Sequence, residues 1–261
     1  MTDLPRRRQV LRSSLQRLGE VLPDVQRPWY AALVFGGATV VAAGFPLLGI
    51  MVMRAVSYGA LLAQSAFVLW VAGWMYAGFW RHRGAYRERY GMQAYRQLFF
   101  RFLLPAVVGI GAALYFPVLV DGPPLLPPLI AYSLAVYLMI SIQLIEVHSI
   151  ALFWDFEWRS FVYSVFPERG RVVTAGIFHW LRHPVYSAAM RFTFALALVR
   201  NNWSAVLCAA LVSMVLWCWA GVEERELEQK DAAYARYRKR VPAFFVVRLL
   251  SFWRYLLTGA V

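Results

Sequence analysis

Five runs of 20 or more mainly apolar residues dominate the chain, at 29–53, 55–80, 98–120, 127–154 and 203–222. About 20 such residues match the thickness of a bilayer core. A shorter run, 185–199, follows Pro184 and ends at Arg200-Asn201-Asn202, which suits a tilted or buried helix forming a hairpin with the next span. With 61% apolar residues and 16% charged, the chain lies outside the composition of an ordinary soluble domain. The expected fold is an all-α, polytopic helical membrane protein. It has about five to six membrane helices, including a short C-terminal helical hairpin, plus cytoplasmic C-terminal helices.

Charge placement tests this reading. The 27 Lys+Arg against 14 Asp+Glu give a formal charge of +13. Most of the basic residues fall in four places: the N-terminal arm 1–28, the 81–97 loop (Arg81, Arg83, Arg87, Arg89, Arg96), the 155–183 segment (Arg159, Arg169, Arg171, Arg182), and the tail beyond residue 222. All four lie on one side if six elements alternate, and the other side holds only Arg54 and Arg200. The positive-inside rule then puts both termini in the cytoplasm of what is expected to be a bacterial inner membrane. The basic excess records topology, so nucleic acid is not an expected partner. The polar, Arg-rich start has no apolar core and does not read as a signal peptide. The expected organisation is one membrane domain: a basic arm (1–28), N-terminal transmembrane helices (29–154), and a cofactor-binding hairpin with cytoplasmic helices (155–261).

Ionisable groups inside spans are costly and are functional candidates by default. Gln143, Glu146 and His148 lie near the cytoplasmic end of the fourth span, followed by Asp155 and Glu157. Glu146 stands either in an interhelical patch, paired with Arg101 or Arg191, or in a site. A denser cluster, His179-Trp-Leu-Arg182-His183-Pro184-Val-Tyr186, opens the short hairpin. Proline suits the first turn of a helix, whose unmet N–H groups favour an anionic ligand group. Glu223 and Glu224 mark the end of the last span, and Tyr234 and Tyr237 share a face of the helix that follows. That helix should stop at Val241-Pro242, with an interfacial helix beyond it. Cys208 and Cys218 lie in one apolar run and read as small core residues. The scattered histidines give no metal-ligand pattern, so no metal is expected.

Taken together, Arg182-His-Pro-Val-Tyr186, Glu223-Glu-Arg-Glu-Leu227 and Tyr234-Ala-Arg-Tyr237-Arg-Lys-Arg-Val241-Pro242 resemble a superfamily of integral membrane methyltransferases. It includes isoprenylcysteine carboxyl methyltransferases, phospholipid methyltransferases and methanethiol S-methyltransferase-like proteins. The resemblance covers about residues 170–245. It implies S-adenosylmethionine as cofactor in a cytoplasm-facing pocket, with a lipid or small apolar acceptor (lipid amine, lipid carboxylate or thiol) entering from the bilayer.

Carried over, Arg182, His183, Pro184, Tyr186, Glu223 and Glu224 would line the cofactor site. Glu224, Tyr237 or Glu146 would take the acceptor's proton. Two departures stand out. The family's usual Phe-Gly before the first tyrosine is missing, with the spacing one residue shorter, and Ser187-Ala188 occupies the place of a frequent glycine. A soluble methyltransferase would need a glycine-rich turn between a strand and a helix. The Gly109-Ile-Gly111 triplet lies within a span. The alternative readings are an NADPH-dependent reductase of the sterol-reductase kind, using Arg182, Arg225 and Arg236, and a non-enzymatic membrane scaffold or transporter subunit.

Overall fold

The computed structural model describes residues 4–53, 59–153, 160–169, 172–246 and 248–259. Arg54, Asp155, Glu157, Arg159 and Arg171 lie outside the described residues. Every regular element among the described residues is helical, and the chain is an all-α polytopic membrane protein. In chain order the α-helices are α1 (Leu4–Val21), α2 (Pro28–Thr39), α3 (Phe45–Met53), α4 (Gly59–Trp74), α5 (Arg83–Tyr90), α6 (Ala94–Leu98), α7 (Leu104–Ala113), α8 (Pro128–Phe153), α9 (Val162–Val165), α10 (Pro184–Arg200), α11 (Trp203–Lys230), α12 (Ala232–Arg240) and α13 (Leu249–Thr258).

Four helical stretches are long and apolar enough to cross a bilayer: Gly59–Trp80, Arg83–Ala113, Pro128–Ser149 and Trp203–Lys230. The apolar run 29–53 is helical too, through α2, Val40–Gly44 and α3, with Trp29, Leu33, Val40, Val41 and Leu48 exposed as a lipid-facing surface would require. α10, with 17 residues, is short for a crossing.

The basic segment 81–97, expected as a loop, is mostly helical. Its Arg, Ala, Glu, Tyr and Gln residues include no proline, and the one backbone reversal falls at Gly91, whose φ of +53° suits glycine. Likewise, the basic N-terminal arm forms α1, with Ser14, Leu18 and Val21 buried. Of the two cysteines Cys208 is buried and Cys218 exposed, so only the first is a core residue.

The chain divides into two compact units. The first comprises residues 1–52, 66–112 and 150–170. Ion pairs close it at its polar edge: Arg96 to Asp24 (2.7 and 3.1 Å), Arg87 to Glu168 (2.9 and 3.1 Å) and Arg169 to Glu20 (2.7 Å). Arg96 holds the Asp24 carboxyl below the usual range, chiefly through its hydrogen bond. Within its helical core, Gly78 makes room for Phe102, whose Cδ1 lies 2.0 Å from where a Cβ would stand.

The second unit (53–65, 113–149 and 171–261) holds the α10–α11 hairpin. Small buried residues, Ala188, Ala195 and Ala197 on α10 and Ala205, Cys208 and Ala209 on α11, let the arms approach closely, as helices do where lipid supplies no hydrophobic drive. The tip is fastened to the Val120–Leu126 loop. Asn201 takes the left-handed conformation (φ 51°, ψ 47°); its Oδ1 accepts from the Leu126 N–H (2.9 Å) and its Nδ2 donates to the Leu126 carbonyl (2.7 Å). Asn202 caps α11 through the Ala205 N–H (2.8 Å), while Arg200 pairs with Asp121 and donates to the Val120 carbonyl (3.2 Å).

Replacing Asn201 by Ala removes two hydrogen bonds and forces a non-glycine residue without a local polar partner into αL, a loss of about 2–4 kcal/mol. Thermal unfolding of the detergent-purified protein should show a lower midpoint for Asn201→Ala, with Asn201→Gly recovering only the backbone part of the difference.

Candidate active site

The base of the hairpin is assembled from three chain segments, all in the second unit. α10 begins at Pro184, with His183 at its N-cap (φ −124°, ψ 67°) and no side chain capping the first turn, so the N–H groups there are not claimed by a cap. The two residues before it pair with the strap that follows α12: the Arg182 N–H donates to the Pro242 carbonyl and the His183 N–H to the Ala243 carbonyl, each at 3.0 Å. One turn into α10, the Ser187 hydroxyl donates to the Phe244 carbonyl at 2.7 Å. The serine that departs from the family's frequent glycine therefore has work to do: it ties the strap to the helix.

Glu224 is the centre of this arrangement. It is only 4% exposed. Its Oε1 accepts from Arg182 Nε (2.7 Å) and His183 Nε2 (3.0 Å), and its Oε2 pairs with Arg238 Nε (2.9 Å). The bond from His183 requires its proton on Nε2. Arg182 also donates to the Val241 carbonyl (2.6 Å) and to that of Arg238. Glu223, the preceding residue, points to a different partner and accepts from the Tyr186 hydroxyl. Its Oε2 lies 3.9 Å from His183 Nδ1. The His183 ring lies parallel to Tyr186 (centroids 5.6 Å apart, 9° between planes) and against Phe244 (5.6 Å, 31°). Arg182, His183, Pro184, Tyr186, Glu223 and Glu224 are thus brought together, as are the two halves of the motif to which they belong.

α11 runs on past Glu224 to Lys230 and breaks at Asp231, whose carboxylate accepts from the Ala233 N–H (2.8 Å) and so caps α12. This cap stands where the family's usual Phe-Gly is missing. α12 carries Tyr234, buried, beside Tyr237 (ring centroids 5.5 Å apart). The Tyr237 hydroxyl donates to the Phe178 carbonyl at 2.6 Å. Burial raises both phenols well above their usual range; Glu224 adds to the rise and Arg182 opposes it. Both are therefore proton donors at neutral pH.

Glu146 lies half-buried on α8, with Gln143 exposed on the same face. Of its two suggested cationic neighbours, Arg191 bonds Ser187 and Ser141, and Arg101 bonds Tyr86. His148 bonds the Leu256 carbonyl (2.7 Å), anchoring α13. Sequence reasoning did not assign Arg238, Ser187 or the Val241–Phe244 strap to the site. Arg238 had one usable signal: it lies four residues after Tyr234 on the same helix face.

The architecture is that of a helical membrane protein whose C-terminal hairpin gathers acidic, basic and aromatic groups at its base. Residues 130–231 match the family model described as phospholipid methyltransferase. No curated protein and no solved structure matches the chain. The matched segment begins on α8, contains Arg182–Tyr186 and Glu223–Glu224, and ends just before Tyr234. The resemblance to the integral membrane methyltransferase superfamily holds over that segment, and it supports a membrane methyltransferase broadly.

The raised phenol pKa values set an alkaline limit. A group whose folded pKa exceeds its unfolded one contributes stability below the unfolded pKa, near 10 for Tyr, and loses it as pH rises through the folded value. Denaturation between pH 9 and pH 12 (roughly the tyrosine window) should therefore show falling stability in the wild type and a shallower fall in Tyr237→Phe, read from unfolding midpoints at each pH.

Proposed function

We propose that the protein transfers a methyl group from S-adenosylmethionine to a lipid-soluble or small apolar acceptor, a lipid amine, lipid carboxylate or thiol, at the base of the α10–α11 hairpin. The observation that carries this reading is the convergence of Arg182, His183, Tyr186 and both carboxylates, Glu223 and Glu224, at an uncapped helix start. The basic residues at the chain ends and around this site support a cytoplasm-facing position.

The residues suit each part of the cofactor. The open N–H groups of α10 favour its carboxylate, while Arg182 and His183, both bonded to Glu224, hold that helix start in position. Glu223 and Glu224 offer oxygens to its amino and ribose hydroxyl groups. The faces of His183, Tyr186 and Phe244 suit its adenine and its cationic sulfur. Pro184 fixes the backbone that presents these groups. When bound, the cofactor supplies an activated methyl: the acceptor's lone pair forms the new bond to carbon while the S–C pair stays on sulfur, turning a sulfonium into a neutral thioether.

This chemistry asks the protein for alignment and exclusion of water. The knot at Glu224 gives rigidity to that end of the hairpin. A thiol or amine acceptor must also release a proton, and a carboxylate, Glu224 or Glu146, is suited to take it. Tyr237, a half-buried donor to the Phe178 carbonyl, serves as a positioning residue. A dinucleotide phosphate would need free basic residues, yet Arg182 is committed to Glu224 and to backbone carbonyls, and Arg225 Nε donates to the Gly221 carbonyl (3.1 Å).

Calorimetric titration of the purified protein tests the reading. S-adenosylmethionine should bind the wild type and bind His183→Ala and Glu224→Gln roughly tenfold or more weakly, as expected for lost charge-assisted bonds. Circular dichroism should confirm that both variants remain helical. Affinity for NADPH without affinity for S-adenosylmethionine would overturn the proposal.

A further inference from the structure

Residues 232–261 hold six Lys+Arg and no Asp or Glu. The stretch just before them is different: between 223 and 231, Glu223, Glu224, Glu226, Glu228 and Asp231 are interleaved with Arg225 and Lys230. Orienting the membrane helices needs basic residues on this side, but it does not need acidic ones to be excluded, since Asp and Glu contribute little to it.

α12 divides its residues between two faces. Tyr234, Tyr237 and Arg238, at i, i+3 and i+4, turn inward: Tyr234 is buried, Tyr237 bonds the Phe178 carbonyl and Arg238 pairs with Glu224. Arg236, Lys239 and Arg240, again at i, i+3 and i+4, are all exposed. Like charges at these spacings repel one another. The helix dipole favours cations in the last turn, which holds Lys239 and Arg240, but Arg236 precedes that turn. The outward face therefore keeps a charge density that the helix itself does not call for.

Its position gives that charge a target. The carbonyls of Arg238 and Val241 accept from the Arg182 side chain and that of Pro242 from the Arg182 N–H, so the end of α12 is held against the start of α10. The apolar run of α11 stops at the same base, at Glu223 and Glu224. The three cations thus stand at the edge of the apolar layer. Beyond them Phe245, Leu249 and Leu250 are exposed, with Arg248 among them. From 236 to 250 the exposed residues change from basic to mainly apolar, the order in which a lipid presents headgroup and acyl chain.

We propose that Arg236, Lys239 and Arg240 form a docking surface for anionic phospholipid headgroups, and that lipid held there braces the site at Glu224. This lipid is a bound partner, separate from the methyl acceptor. Near a bilayer each basic residue strengthens attraction to anionic lipid roughly fivefold, so three on one face distinguish a charged membrane from a neutral one. The bracing follows from shared structure: the helix that presents the three cations also carries Arg238 and leads into the strap bonded to Arg182, His183 and Ser187. The surface stands whatever the site does, while its effect on cofactor affinity rests on the methyltransferase reading above.

The test uses the purified full chain in dodecyl maltoside, followed by thermal unfolding with dihexanoyl phosphatidylglycerol, dihexanoyl phosphatidylcholine or inorganic phosphate. Phosphatidylglycerol has no amine, so its binding is distinct from any role as acceptor. It should raise the midpoint, whereas the zwitterionic lipid and free phosphate should not. Roughly 0.5 M NaCl should abolish the rise. Arg236→Gln/Lys239→Gln/Arg240→Gln should weaken the apparent affinity roughly tenfold or more. Its side chains are exposed and Gln is a good helix former, so the variant keeps the fold. Lys239→Gln alone should lose several-fold, and Arg12→Gln, which removes an exposed cation of α1, should lose nothing.

An equal rise with phosphatidylcholine, or a phosphatidylglycerol rise unchanged in the triple variant, overturns the surface. S-adenosylmethionine titration in phosphatidylcholine nanodiscs with and without phosphatidylglycerol tests the bracing. Affinity should be several-fold higher with the anionic lipid in the wild type and equal in the triple variant; equal affinity in the wild type overturns the bracing. A phosphatidylglycerol shift that needs the three cations, with no cofactor binding in either nanodisc, keeps the surface and sinks the methyltransferase reading together with the effect on cofactor affinity.

Discussion

The base of the hairpin depends on a single buried carboxylate. Glu224 receives Arg182, His183 and Arg238, which come from the entry to α10, its N-cap and α12. Such a group is stable out of water only when its lone pairs are filled, and removing one partner of a buried pair costs far more than the pair contributes. The three donors therefore have to arrive together. Their arrival sets the angle at which α12 leaves α11 and brings the Val241–Phe244 strap across the start of α10. What reads in the sequence as three separate motifs is, physically, the set of groups needed to satisfy one oxygen pair and to hold its neighbours.

The other end of the hairpin is fixed by different means. There the polar groups are amides and backbone carbonyls: Asn201 and Asn202 make the turn and bind the Val120–Leu126 loop, and Arg200 adds an ion pair with Asp121. Between the two ends, buried alanines bring the helices close. A hairpin pinned at both ends and smooth in the middle keeps the spacing along α10 constant, so distances measured from His183 carry meaning further up the helix.

Much of this was legible in the sequence because membranes impose simple rules. The apolar runs, the short hairpin after Pro184, the stop at Val241-Pro242 and the grouping of Arg182, His183, Tyr186, Glu223 and Glu224 all follow from span length, proline geometry and motif order. The 81–97 segment was not legible, since a charged helix and a charged loop share a composition until packing decides between them. The role of Ser187 was hidden for a related reason. Its partner is a main-chain carbonyl 57 residues away, which leaves no trace in residue identity. Arg238 was obscured by its neighbours: in Arg236-Tyr-Arg238-Lys-Arg240, nothing in the pattern says which cation turns inward.

Two arginines nine positions apart show how the same side chain is put to opposite uses. Arg182 is bound to a carboxylate and to the carbonyls of Val241 and Arg238, so its fork is filled from within the protein and acts as a strut. Arg191, equally enclosed, is met by the lone pairs of two hydroxyls and the face of a ring. Folding alone accounts for the first arrangement, because each bond of Arg182 closes a chain segment onto another. It does not account for the second, since a leucine or methionine of similar volume would fill the space beside Phe245 without the cost of burying a charge. A cation kept inside a membrane helix is therefore a cost that packing alone does not explain.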